Sequence, residues 1–437
     1  MCFSGLNFFS NRDTKTGRQN SSLLLFLQVL LLAMVLRPAA VVMAAVTVHT
    51  VTELVDAVNA TAHGGDRTIV VADGTYMLNG EYLRIAANGV TIRSQSGNRE
   101  QVVLDGNYQT TEIFQIVASN VTIKDMRLQR ALDHPIHVMA TAGSNVTGTI
   151  IRNLHIVDPG QQAIKINPDS ARSHFVDSGR IANCLIELTD SGRAKVWDRN
   201  GSCYTGGVDA HQADNWIIED NRIQGFWCSG GLAEHGVHFW SGSTDTLVQR
   251  NLIIDCDRGI GFGLGDSGHS GGIIRNNMIY HGPDHGHSDV GIGLESASGA
   301  QVYNNTVFQE HGYPNGIEYR FDASNNLTIV NNLCNRHITS RNNGSTTLLS
   351  HNITNGAADW FVNAQKGDLH LRSARTGVTS AALPFSGLTD DYDMQTRPLG
   401  AGPDIGADEY SSTIPNKPPG STNVSLSWLL LLTGHNP

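Results

Sequence analysis

The sequence predicts an all-β chain: a right-handed parallel β-helix, a solenoid of stacked coils with a short helix capping its N-terminal end. Three observations predict it. The pattern apolar-x-x-(Asn or apolar)-x-apolar recurs eight times, from Ile123…Met126…Leu128 to Ile329…Asn332…Cys334, at intervals of 26 to 37 residues. Five successive repeats place Asn at the same point: Asn221, Asn251, Asn277, Asn305 and Asn332. The repeats are rich in Ile, Val, Thr, Asn and Gly, which suits strands and tight turns rather than helices. Propeller blades need longer periods, roughly 40 residues or more. If coils stack about 4.8 Å apart, aligned Asn amides form a hydrogen-bonded ladder and satisfy polar groups that are costly to bury. Handedness follows from the general preference of crossovers between parallel strands.

A stack has no size ceiling, so all 437 residues need not form one compact core. Residues 1–44 read as a secretory signal. Arg12, Lys15 and Arg18 precede the apolar run Leu23 to Leu36, and Val42-Met43-Ala44 supplies small residues for cleavage before Ala45. A retained anchor is the alternative, and the run is short for a span of about 20 residues. Residues 45–355 are assigned to the β-helix. Thr52 is expected to cap a short helix with Leu54, Val55 and Val58 on one face, a lid over the first coil. Residues 356–410 form a C-terminal closing segment, and 411–437 a linker and tail whose apolar run, Val424 to Leu432, is too short to cross a bilayer.

Five cysteines follow the signal, and Cys203 with Cys228 is the disulfide candidate, since the two lie about one coil apart in loops. A net charge of −10 argues against nucleic acid or an anionic membrane as partner, but leaves an acidic polysaccharide open. A monomer without a membrane span in the mature chain is expected.

Two stretches carry a resemblance to known proteins. "GGDRTIVVADGTY" followed by "GVTIRSQSGNREQVVLDG" resembles the opening coils of secreted pectate-lyase-like β-helix proteins, a group that includes chondroitinase-B-type and alginate-lyase-type polysaccharide lyases. "FVNAQKGDLHL" and "DMQTRPLGAGPDIGADEY" look like the closing segment of exported bacterial β-helix proteins. The resemblance implies the fold, and a polysaccharide as partner.

Chemistry is expected on the outward face of one strand per coil. Alternation in Val208-Asp209-Ala210-His211 and Val237-His238-Phe239-Trp240 sends Asp209, His211, His238 and Trp240 to one side. Extending the reading gives an outward stripe of His137, Met139, Lys165, Asn167, Asp209, His211, His238, Trp240, Gly261, Gly263, Gly293, Glu295, Glu318 and Arg320. Glycines on a strand face leave room for a ligand at the backbone, and a Trp offers a sugar a flat platform. Extra residues at Thr189–Gly206, Gly225–Glu234 and Tyr280–Asp289 are expected as loops forming a binding lip.

Gly206-Gly207-Val208-Asp209-Ala210-His211 resembles the Tyr-Gly-Phe-Asp-Pro-His motif of mannuronan C5-epimerases; Asp209 and His211 match, Gly206 replaces the Tyr and Ala210 the Pro. The aspartate those enzymes place one coil later falls on Trp240. Lyases and epimerases both remove the C5 proton of a uronate, which needs a base near neutral pH and a neutralised carboxylate. His211 and His238 suit the first task, Lys165 or Arg258 the second, and Asp209 would orient His211 or hold a cation. His137, Asn167, Trp240, Glu295, Glu318 and Arg320 are the expected substrate contacts. Bland readings stand beside these: His137 and His238 as polar groups on a wet face, and Arg258 as a surface partner of Asp255 or Asp257. The metal assignment is open. Calcium is the one cofactor considered, without a ligand set that assures it, and His281, Asp284, His285, His287 and Asp289 match no specific ligand spacing. Two alternatives are a glycoside hydrolase using Glu295 and Glu318, and a non-catalytic surface or carbohydrate-binding protein.

Overall fold

The computed structural model describes residues 45–412, apart from 284; the expected signal and most of the tail lie outside the described residues. The chain is a right-handed parallel β-helix. Each coil contributes one strand to each of three long sheets, of 12, 10 and 10 strands. The coil of Ile150–Arg152, His155–Val157 and Gln162–Asn167 shows the order first, second, third sheet. Neighbouring coils pair in parallel and in register. The inward column of the third sheet therefore runs Ile136, Ile164, Val208, Val237, Ile260, Ile292 and Ile317. All seven side chains are fully buried. Each is worth about 1.5–3 kcal/mol of removed apolar surface, so the column is a large share of what holds the stack together.

The turn from first to second sheet is made by one residue in the left-handed conformation. Asp125, Asn153, Asn183, Asp220, Arg250, Asn276, Asn304 and Asn331 all occupy it, with φ between 50° and 63°. Asn and Asp tolerate that region, which explains their recurrence. Arg250 is the exception, and ion pairs with Glu219, Asp220 and Asp390 hold it there. The predicted ladder follows this residue. Nδ2 of Asn221 donates to Oδ1 of Asn251, Asn251 to Asn277, Asn277 to Asn305 and Asn305 to Asn332, each at 3.0 Å. Asn352 extends it one coil beyond the repeat, also at 3.0 Å.

The capping helix spans Val51–Thr61 and buries Leu54, Val58 and Thr61. Its cap is Thr50 rather than Thr52. The Thr50 hydroxyl accepts from the Glu53 N–H, and the Glu53 carboxylate accepts from the His49 N–H. This reciprocal pattern needs a carboxylate three residues on, which Thr50 has and Thr52 lacks.

The Thr189–Gly206 insertion is not only loop. Asp190–Asn200 is a helix ended by Gly201 in the left-handed conformation. Arg199 pairs with Asp133 at 2.8 Å, and the Asn200 amide donates to the Gly160 carbonyl, which pins the helix over the entry to the third sheet. All three insertions fall at the corner between the second and third sheets. Cys203 and Cys228 form a disulfide there, with Cα atoms 5.8 Å apart.

The closing segment folds back along the stack. Phe361–Asn363 and Asp368–Leu371 form an antiparallel pair. Phe361, Leu369, Leu371, Ile405 and Ala407 pack on Leu252, Ile254, Met278, Tyr280, Phe308 and Leu333 of the second sheet and its turns. Within the segment His370 is almost fully buried, with Nδ1 2.7 Å from Asp368 and Nε2 3.2 Å from Asp393. Burial alone would lower its pKa; the two carboxylates outweigh it and push the imidazole up to about 10.

Two tests of stability follow. Asn277→Ala strips acceptors from the Asn251 main-chain and side-chain N–H groups and is expected to cost about 2–4 kcal/mol in urea denaturation. Asn352→Ala, at the half-exposed end of the ladder, should cost less. A pKa raised in the folded state adds stability that is complete below the unfolded value of about 6.5 and lost as pH climbs toward the folded one. Denaturation midpoints at pH 7.5 and 9.5 should therefore fall with rising pH, and more steeply than in His370→Gln. Equal slopes would refute the role given to His370.

Candidate functional site

In-register stacking turns the expected outward stripe into two columns. One runs His137, Lys165, Asp209, His238, Gly261, Gly293, Glu318. The other includes Met139 beside Asn167, His211 beside Trp240 and Glu295 beside Arg320. Side chains in the stripe divide into three groups.

The central group is the most tightly connected. Lys165 forms a close ion pair with Asp209 Oδ2, and both side chains are largely buried. The Lys165 ammonium lies 3.1 Å from His211 Nε2, which is 3.3 Å from Asp209 Oδ2. The Trp240 indole N–H donates to Asp209 Oδ1 at 2.9 Å. Its ring lies 4.5 Å from His211 and stacks on His238 at 5.2 Å. Trp240 thus braces the carboxylate as well as offering a half-buried face. Burial alone would raise the Asp209 pKa; His211, His238 and the Lys165 charge outweigh it and hold the carboxyl well below the usual range. The carboxylate therefore stays ionised at neutral pH and fixes the two groups that face outward beside it.

His238 is fully buried. Its Nε2 lies 3.2 Å from the Gly263 carbonyl and donates to it. Nδ1 lies 3.4 Å from Asp209 Oδ1 and 3.7 Å from Glu234 Oε2, misaligned for a hydrogen bond to either. The bland reading of His238 as a polar group on a wet face is thereby excluded.

The flanking groups are bonded among themselves. His137 bridges Glu112 Oε1 at 2.6 Å and Asn167 Oδ1 at 3.0 Å. At the other end Arg320 pairs with Glu295 at 2.8 Å, and Arg341 with Glu318 at 3.0 Å. Glu318 is buried and also accepts from Tyr313 and Asn315. Each carboxylate of the proposed hydrolase pair thus has its own arginine, and the register sets them in different columns. Arg258 reaches Asp289 at 3.4 Å and Glu234 at 3.9 Å, rather than Asp255 or Asp257.

The glycines need a correction. A Cβ on Gly261 would sit 2.4 Å from His235 Nε2, so that space belongs to an imidazole. Gly263 has φ of 75° and abuts the Glu295 carbonyl. A Cβ on Gly293 would meet only the Val290 side chain, at 3.2 Å. A cavity of about 620 Å³ lies elsewhere, lined by Arg193, Arg222, Trp227, Asp255, Lys366 and Asp368, between the second sheet and the closing segment.

Sequence reasoning missed Glu234 and His235, which precede the strand alternation that singled out His238. Among the described residues two sets bring three metal-ligating side chains together: Glu234, His235 and His238, and His370, Asp393 and Asp408. In the second, both His370 nitrogens already face carboxylates. His281, His285, His287 and Asp289 form no such set among the described residues, and Asp284 lies outside them.

Breaking the buried pair tests the central group. Lys165→Met strands the Asp209 carboxylate and should cost about 3–5 kcal/mol in chemical denaturation, whereas Lys165→Met with Asp209→Leu should recover most of it. Equal losses in both variants would contradict the pairing.

Neither a family model nor a curated protein matches the chain. Solved structures similar to it include pectate lyase Pel9A, at 16% identity and a TM-score of 0.49, covering 81% of this chain and 90% of that one. An alginate lyase from Paenibacillus sp. str. FPU-7 is 13% identical with a TM-score of 0.44, over 71% of this chain and 99% of that one. The Azotobacter vinelandii mannuronan C-5 epimerase AlgE4 A-module is 12% identical with a TM-score of 0.40, over 69% and 88%. The architecture rests on the strand topology described above, and by that topology the chain is a right-handed parallel β-helix.

Proposed function

We propose that the protein is an exported carbohydrate-active enzyme acting on a uronate-containing polysaccharide, by elimination or C5 epimerisation. The observation that carries this reading is the bonded set Lys165, Asp209 and His211, beside the half-buried ring of Trp240. A base, a cation and a fixed carboxylate within one hydrogen-bond network suit removal of a proton next to a carboxylate. In this reading His211 takes the C5 proton. Lys165 meets the charge that develops on the sugar carboxylate, and Asp209 keeps both in place. In elimination the C4–O4 bond breaks as the C4–C5 double bond forms, and the proton passes to O4. In epimerisation a proton returns to C5 from the opposite face.

Arg258 is a second cation three coils beyond Lys165, and His238 shapes the back wall of the site. His137 with Asn167 upstream, and Glu295, Glu318 and Arg320 downstream, are proposed as contacts for neighbouring sugars of the polymer. The mature chain acts as a monomer, and the net charge of −10 over the full sequence disfavours nucleic acid.

Incubation with a panel of polyuronates and glycosaminoglycans tests this, with ultraviolet absorbance reporting unsaturated sugar and proton NMR reporting epimerisation. A signal is expected with at least one polymer, reduced by about 10²-fold or more in His211→Ala. Silence across the panel would overturn the reading, and so would full activity in His211→Ala.

A further inference from the structure

Two imidazole nitrogens without a hydrogen-bond partner and the Glu234 carboxylate converge behind Asp209. His235 and His238 are 4% and 0% exposed, and Nδ1 of each is buried without a hydrogen-bond partner. A buried imidazole nitrogen left unpaired is costly, and two side by side call for an explanation. The rings lie 4.2 Å apart, and His238 Nδ1 is 3.7 Å from Glu234 Oε2. One ligand atom from each of Glu234, His235 and His238 falls within 4.8 Å of the other two.

The surroundings suit a metal. His238 turns its other nitrogen to the Gly263 carbonyl, the outer contact that commonly fixes the tautomer and direction of a ligating histidine. Gly261 is empty of side chain where the His235 ring lies, so the ring's place depends on that glycine. Glu234 is the only one of the three with an open edge, its side chain 27% exposed, which provides a route in. Arg258 is 3.9 Å from Glu234 and is shared with Asp289.

We propose that Glu234, His235 and His238 bind a first-row divalent cation of the zinc type. Two imidazoles and one carboxylate match the donor preference of zinc, cobalt or nickel, whereas calcium requires six to eight oxygens. Three protein ligands leave a coordination position for water or for an oxygen of a bound molecule. The assignment differs from the calcium considered on sequence grounds, and it stands whether or not the protein turns over a polyuronate.

The test uses the untagged full-length protein and zinc and cobalt salts as probes. After chelation, reloading with zinc and dialysis, one equivalent of zinc per chain is expected by elemental analysis, and cobalt loaded instead should give the visible absorption of a low-coordinate nitrogen–oxygen site. Calcium at the same concentration should neither bind there nor compete. His235→Gln should weaken zinc binding about 100-fold or more, and Gly261→Ala, which keeps all three ligands but displaces one ring, about 10-fold or more. Circular dichroism would confirm that each variant is folded. Absence of stoichiometric zinc from the folded wild-type protein would overturn the proposal, as would unchanged affinity in both variants. Zinc uptake with silence on the polyuronate panel would retain the metal site and reject the proposed function; the reverse pattern would do the opposite.

Discussion

From Asp125 onward each coil leaves the first sheet through a single left-handed residue, and from Asn221 onward the asparagine after it ties that turn to the next coil. The rest of the structure depends on this constraint. A one-residue turn allows no slack, so the strands on either side keep the same phase in every coil where it recurs. The Asn amides then meet at a uniform 3.0 Å from Asn221 to Asn352, and their donors also satisfy main-chain carbonyls such as those of Ile181, Ile218 and Val248. Where Asn is missing, at Cys184, the main-chain N–H still finds the Asn221 amide oxygen at 2.9 Å.

Fixed phase has a chemical consequence. Because the side-chain period of a strand is two, a slip by one residue would exchange the inner and outer faces. Register locked at one corner therefore keeps Lys165, Asp209 and His238 in one outward column two sheets away. Residues 44 apart in sequence, such as Lys165 and Asp209, become neighbours through the pitch of the stack. The corner opposite this order carries all three insertions, where the helix Asp190–Asn200 and the Cys203–Cys228 disulfide build the lip beside the third sheet.

The site is unusual in how much of its polarity is turned inward. Asp209 serves Lys165, His211 and Trp240 together, and its ionised state follows from those neighbours. Glu295 and Glu318, which looked equally exposed in the strand pattern, are each neutralised by an arginine. Outward on a strand is thus not the same as free. Glu318 is outward by alternation and still buried, because Tyr313, Asn315 and Arg341 close over it.

The sequence by itself determined what is periodic: the strands, the Asn ladder, the inward column and the outward stripe. Each of these repeats a local rule, so a pattern of period two within a strand and about 28 residues between coils is enough to read them. It also determined that Asp209, His211 and His238 share a face. Only the tertiary structure decided what interrupts the period. The cap at Thr50, the helix within the Thr189–Gly206 insertion and the return of the closing segment along the second sheet depend on contacts particular to one place. So do the partners of the stripe: that Gly261 makes room for His235, that Trp240 braces Asp209, and that Glu234 faces His238. Side-chain reach across coils sets those pairings, and alternation along a strand says which side a residue faces but not whom it meets.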